Sequence, residues 1–115
     1  MKNDFGGHDN HHYDNIYAYV GHALGVTNTL SNDVDVFTGN KAVITGNNVG
    51  GPQCPGKKGN PATIMANNSY YTPTGKVTEC GKPLAQSGDM GSTVAKTPTD
   101  ATIIGWASAK LGIKD

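Results

Sequence analysis

The nine residues "FTGNKAVIT" (37–45) decide how this chain is read, because two other stretches follow the same plan. "HYDNIYAYV" (12–20) and "IMANNSYYT" (64–72) align with it so that the fourth position is always Asn: Asn15, Asn40 and Asn67. Each Asn is followed by a run of Tyr, Val, Ile or Thr, residues that fit a pleated, half-buried surface. The Asn positions are 25 and 27 residues apart. A period in that range marks an architecture in which each repeat is one supersecondary unit and buries its apolar face only against its neighbours.

Between the repeats the chain offers strand and turn signals. Short apolar stretches such as "IYAYV", "DVDVF", "AVIT" and "ATIM" alternate with "TGNN", "VGGP", "CPGKKGNP" and "TPTG". Nothing in residues 1–96 reads as a helix. A repeat of about 26 residues with two or three short strands and no helix predicts a solenoid of parallel strands, a β-helix. Leucine-rich repeats have similar periods, but their LxxLxL pattern is missing. With Lys41 pointing outward, the period-two rule turns Tyr17, Ala42 and Ser69 inward, together with Tyr19, Ile44 and Tyr71. Ala18, Val43 and Tyr70 then form an outward apolar stripe.

The Asn column has two physical reasons. Asn tolerates the left-handed backbone needed where one strand bends into the next. Stacked amides also hydrogen-bond along the axis of the stack. Cys54 and Cys80 lie 26 residues apart, one repeat, so they fall above each other on adjacent coils. The interstrand distance of about 4.8 Å suits a disulfide, which would add about 3 to 4 kcal/mol on the chain-entropy model.

The tail is different. In "TPTDATIIGWASAKLGIKD" Thr99 can cap a helix, Asp100 suits its first turn, and Ile103, Ile104, Ala107 and Leu111 recur at helical spacing. Lys110 suits the last turn and Gly112 the stop. The terminal coil of a solenoid needs its apolar cross-section covered. We therefore expect residues 97–115 to be a C-terminal cap, with Trp106 packed there, on coils spanning 1–96 of a single domain. No comparable cap precedes residue 12. The first coil is expected to meet either the N-terminal coils of a longer chain or a docking partner.

Composition excludes several partners. Nine Lys balance nine acidic residues with no Arg, and only 16% of residues are charged. Nucleic acid and anionic membrane surfaces both require dense positive charge. No apolar run is long enough to span a bilayer, and "MKNDFGGHDN" lacks the apolar core of a signal peptide. The cysteine pair and the sequon Asn67-Asn68-Ser69 nevertheless suit an extracellular or cell-surface protein, with Met1 read as an internal start.

With these features in place, the sequence resembles right-handed parallel β-helix proteins of the pectate-lyase-like superfamily, and more narrowly the C-terminal coils and cap of large secreted members. The similar segments are "HHYDNIYAYVGHALGV", "VFTGNKAVITG", "NNSYYTPTGKVTECGKPLAQSGDMGSTV" and the terminal helix. The resemblance implies an all-β, right-handed solenoid of about three to four coils with a capping α-helix, and an association with polysaccharide. It does not bring catalytic signatures. Pectate lyases use an acidic calcium cluster with an Arg or Lys base, whereas the acids here are scattered. The polygalacturonase Gly-His-Gly is replaced by Gly21-His22-Ala23.

Three sets of side chains are candidates for chemistry. Asp33 and Asp35, two apart on a strand, face one side and could form the carboxylate pair of a glycosidase. His8, His11 and His12 could hold a divalent metal with nearby carboxylates, although no motif of known ligand spacing is present. His12, Tyr13, Asp14 and Asn15 combine an aromatic face with hydrogen-bonding groups, as a sugar-binding groove does. The leading expectation is a non-enzymatic scaffold or glycan-binding surface requiring no cofactor. The alternatives are part of a polysaccharide lyase or glycoside hydrolase completed by upstream coils, and a metal-binding protein.

Overall fold

The structure is a computed structural model that describes residues 2–3, 10–23, 25–26, 35–47, 49, 63–79, 82–83 and 91–113. The described chain is mostly β, with parallel strands in two sheets and one short C-terminal helix. In chain order the strands are β1 (Lys2–Asn3), β2 (His11–Tyr13), β3 (Ile16–Val20), β4 (Gly25–Val26), β5 (Asp35–Thr38), β6 (Lys41–Ile44), β7 (Thr63–Ala66), β8 (Ser69–Thr72), β9 (Thr78–Glu79), β10 (Lys82–Pro83) and β11 (Thr93–Lys96). Helix α1 spans Asp100–Leu111. One sheet has the order β2-β5-β7 and the other β11-β8-β6-β3, every pairing parallel. Strands β1 and β4 also pair in parallel, while β9 and β10 pair antiparallel.

The recurring unit is a strand, a two-residue corner and a second strand: β2 to β3, β5 to β6, and β7 to β8. The first corner residue has left-handed backbone in every tier: Asp14 (φ 55), Gly39 (φ 67), Asn67 (φ 55) and Gly91 (φ 71) before β11. These residue types are the ones that reach that region at least cost. Their side chains interleave down the column. A Cβ on Gly39 would lie 3.0 Å from Asp14 Oδ1, and one on Gly91 only 2.3 Å from Asn67 Oδ1. The glycines leave room for the carboxylate and the amide of the tier before.

The second corner residue supplies the polar ladder. Asn40 Oδ1 accepts from the backbone N–H of Asn15 at 2.9 Å and from its Nδ2 at 3.1 Å. Asn68 Oδ1 accepts in the same way from Asn40, at 2.9 and 3.2 Å, and Ser92 Oγ accepts from the Asn68 N–H at 2.9 Å. Nδ2 of Asn40 and of Asn68 also donates to the first strand of the tier before, to His12 O on β2 and Phe37 O on β5, both at 3.0 Å. Asn40 and Asn68 are 1% exposed, so every bond replaces one that water no longer provides. The ladder is thus Asn15, Asn40, Asn68 and Ser92. The expectation of Asn67 as its third rung is corrected: bending and ladder-building fall on adjacent residues, and Asn67 does the bending.

That one-residue shift turns the third repeat inside out relative to expectation. Lys41 pairs with Ser69, Ala42 with Tyr70 and Val43 with Tyr71. Tyr70 is fully buried in the core, where an outward position was expected, and Ser69 and Tyr71 sit on the outer face rather than the inner one. Strand β3 differs for a second reason. Its pairing slips between Tyr17 and Val20, so Val20, not Tyr19, lies opposite Ile44. This is a β-bulge, and Tyr19 takes a left-handed backbone (φ 56) that throws its ring outward, 51% exposed. Tyr17, Ala42 and Ile44 point inward as the alternation predicts.

The core lies between the two sheets. It contains Phe37 and Met65 from the three-stranded sheet and Ala42, Ile44 and Tyr70 from the four-stranded one. Tyr17 stacks on Phe37 at 6.0 Å with the rings 13° apart. A third buried column, Ala23, Val49 and Val77, closes the remaining side, and the Ala23 N–H bonds to Val49 O at 2.9 Å. Strands β5 to β8 each contribute at least one residue to this core.

Helix α1 begins and ends as its sequence predicts. Thr99 accepts from the Thr102 N–H, and Gly112 (φ 71) closes the C-terminus with its N–H on Ala109 O while the Ile113 N–H reaches Ser108 O, an αL-type stop. Its position differs from a terminal lid. The Tyr19 hydroxyl donates to Asp100 Oδ1, the Tyr71 and Trp106 rings are 5.0 Å apart, and Lys41 Nζ sits 5.8 Å from the Trp106 centroid. Strand β3 is the far edge of the sheet from β11, so a lid stacked beyond β11 could not touch it. The helix lies across the outer face instead, over Tyr71 and Val43, and Val43 is buried there. Ile103 is its buried residue, with Trp106 and Ala107 half-buried, whereas Ile104 and Leu111 are 64% and 73% exposed. Cys54 and Cys80, expected to form a disulfide, lie outside the described residues.

Candidate functional site

Four of the residues singled out from the sequence as a sugar-binding set come together. His12, Tyr13, Asp14 and Asn15, with His11 and Lys110, line a cavity of about 530 Å³ at the first corner. Strand β2 supplies His11 to Tyr13, the left-handed turn supplies Asp14, the ladder supplies Asn15, and the last turn of α1 brings Lys110. A second cavity of about 380 Å³ opens on the other side of the corner, lined by Asp14, Asn15, Ile16, Gly39, Lys41, Trp106, Ala109 and Lys110.

Alternation along β2 sorts its side chains. His11 and Tyr13 share the outer face, their rings 4.7 Å apart and tilted by 49°, with Tyr13 58% exposed. His12 points inward, opposite Phe37, at 6.4 Å between rings. Its carbonyl accepts from Asn40 Nδ2, so its backbone is part of the ladder. Asp14 is exposed at the corner, free of strand pairing beyond an N–H to Thr38 O at 3.4 Å. The site thus joins a pair of exposed rings, a carboxylate that only accepts, an ammonium that only donates, and an amide that does both.

The proposed metal ligands do not assemble among the described residues. His8 lies outside them, and His11 and His12 face opposite sides of one strand, a consequence of the two-residue period. No group of three His, Cys, Asp or Glu among the described residues is placed to hold an ion. Asp33 of the carboxylate pair is outside the described residues; Asp35 opens β5, paired with Thr63.

Two tyrosines near the corner titrate abnormally. Burial pushes the Tyr17 hydroxyl above its ordinary range, with Asn15 pulling more weakly the other way. Among the described residues that hydroxyl is buried and meets no hydrogen-bond partner. The hydrogen bond donated to Asp100 raises the pKa of Tyr19, which is solvent-exposed, and the Asp100 charge adds to the effect.

Lys110, Lys41 and Trp106 were not foreseen as part of the site. Lys110 was recognised only as a residue suited to a helix C-terminus, and nothing in the pattern placed that helix beside β3. Among the described residues no helix is long and apolar enough to cross a membrane. Comparison with protein-family models, with curated proteins and with solved structures finds no match to this chain.

Proposed function

We propose that this chain is a set of right-handed parallel β-helix coils, pectate-lyase-like in architecture, that serves as an extracellular or cell-surface scaffold and binds glycan without turning it over. The observation that carries this reading is the first corner. It joins exposed Tyr13 and His11 rings to Asp14, Asn15 and Lys110 around one open cavity. Aromatic faces take the apolar side of a pyranose ring, and the polar groups take its hydroxyls. Support for the solenoid comes from two parallel sheets that share one core and from the Asn15, Asn40 and Asn68 ladder between them.

Among the described residues strands β2 and β3 are edge strands, and a parallel edge invites continued pairing. We take this edge as the place where upstream coils or a docking partner join. The reading is tested by displaying the chain to an array of neutral and acidic glycans, with reducing-sugar assays alongside. Retention of a glycan that is lost in Tyr13→Ala, with no release of sugar, supports it. Turnover abolished by substitutions at the corner would replace binding with catalysis.

A further inference from the structure

We propose that Asn67 is an acceptor for N-linked glycan, its side-chain amide carrying one covalently attached oligosaccharide at the third corner; this rests on the extracellular reading above. Of all the Asn residues in the chain, only Asn67 heads the pattern Asn-X-Ser/Thr with X other than Pro, in Asn67-Asn68-Ser69. The pattern marks the residue that a transferase would choose. The fold decides whether the tiers can close around the product.

The two adjacent Asn residues differ sharply in this respect. Asn68 is 1% exposed, and its amide accepts from Asn40 and donates to Phe37 O. A substituent on its nitrogen would break the ladder. Asn67 is exposed, and among the described residues no hydrogen bond, ion pair or ring contact holds its side chain. Its left-handed backbone (φ 55) sets it at the bend between β7 and β8.

The corner column gives a bulky group room. The same position is Gly39 in the tier before and Gly91 in the tier after, so no side chain flanks Asn67 in that column. The amide is also turned the right way. Its oxygen leans over Gly91, where an added Cβ would collide with it, and Cγ is 3.4 Å from that Cβ position. Nδ2 is farther from it than either, so growth from the nitrogen leads away from the next tier. Ser69, whose hydroxyl the pattern requires, lies on the outer face and takes nothing from the core.

The co-substrate is an oligosaccharide carried on a lipid pyrophosphate. Nδ2 forms a bond to C1 of the first sugar, and the bond from C1 to the pyrophosphate oxygen breaks with its electron pair. The amide gives up one proton to the transferase, and no redox partner is needed. The fold must then form with the glycan in place.

The test places the whole chain behind a secretory signal in a eukaryotic cell and reads the mass of the secreted product before and after peptide N-glycosidase. One glycan should be present, its removal should convert Asn67 to Asp, and it should be lost in both Asn67→Gln and Ser69→Ala and kept in Ser69→Thr. The glycosylated chain should unfold at the same urea concentration as the enzymatically deglycosylated one. A folded, secreted chain without glycan would overturn the site and leave glycan binding at the first corner standing, since Tyr13→Ala on the array reads that separately. A glycosylated chain that is retained in the cell, or that regains stability when the glycan is removed, would show that the corner does not accommodate it and would also overturn the site. Recovery of the native protein from the cytosol of its source would remove the extracellular reading and the site together.

Discussion

Replacing Asn40 with Ala separates the ladder from the bend more sharply than any other single change. The Asn40 side chain makes four hydrogen bonds, to the Asn15 N–H, Asn15 Nδ2, His12 O and Asn68 Oδ1. After truncation Asn68 Oδ1 still accepts from the Asn40 N–H, and Asn15 Nδ2 can turn toward solvent. Two backbone groups, the Asn15 N–H and His12 O, lose this partner. At about 1 to 2 kcal/mol for each such group, plus a small void, the loss is about 3 to 4 kcal/mol. Asn67, one corner residue away in its own tier, is exposed and holds only its left-handed backbone. Asn67→Ala should cost about 1 kcal/mol and Asn67→Gly about zero. For a domain of this size, with total stability of about 5 to 15 kcal/mol, urea unfolding resolves these differences through the midpoint at constant slope. A cost for Asn67→Ala equal to or above that for Asn40→Ala would refute the assignment of the ladder.

Three further outcomes follow from the same geometry. Gly91→Ala should destabilise strongly, because the added Cβ meets Asn67 Oδ1 at 2.3 Å and φ is 71°; adding Asn67→Gly should recover the steric part and leave about 1 kcal/mol of backbone strain, measurable as a double-mutant cycle. Tyr17→Phe removes a buried hydroxyl without a partner among the described residues and should be neutral or stabilising by up to about 1 kcal/mol. Because the folded pKa of Tyr17 and of Tyr19 is raised above the unfolded value of 10.0, their contribution is complete below that value and lost as pH rises through the folded pKa. Ultraviolet titration should show a late-ionising component that is smaller in Tyr17→Phe. Trp106→Ala should undock α1 from Tyr71 and Lys41, seen as loss of near-ultraviolet dichroism with the strand signal intact.

The repeated fourth-position Asn was legible because corner chemistry is narrow: few residues bend left, and few can bond along a stack. The third repeat misled because Asn67 and Asn68 are both Asn. Taking the first as the rung shifted every following side chain to the opposite face, as a period of two requires. The pairs Asp14-Asn15, Gly39-Asn40, Asn67-Asn68 and Gly91-Ser92 hold the missing signal, a left-handed former followed by a polar rung. The Tyr19 bulge had no such signal, since it exists only in the pairing of β3 with β6. The helix was legible as a helix through Thr99 and Gly112, but not in its docking. Ile103, Ile104 and Leu111 looked equivalent by spacing, and only the first is buried. Of the site, the residues local to one corner were readable, whereas Lys110 arrives from 95 positions away in the chain.

The most direct measurement is the set of nuclear Overhauser contacts among side-chain amide protons in a uniformly labelled sample. Contacts should run from Asn15 to Asn40 and from Asn40 to Asn68, with the Asn40 and Asn68 amides slow to exchange, and with Asn67 outside the chain of contacts. A chain that passes through Asn67, or Asn40 amide protons that exchange as fast as those of an exposed residue, would contradict the stacked parallel tiers.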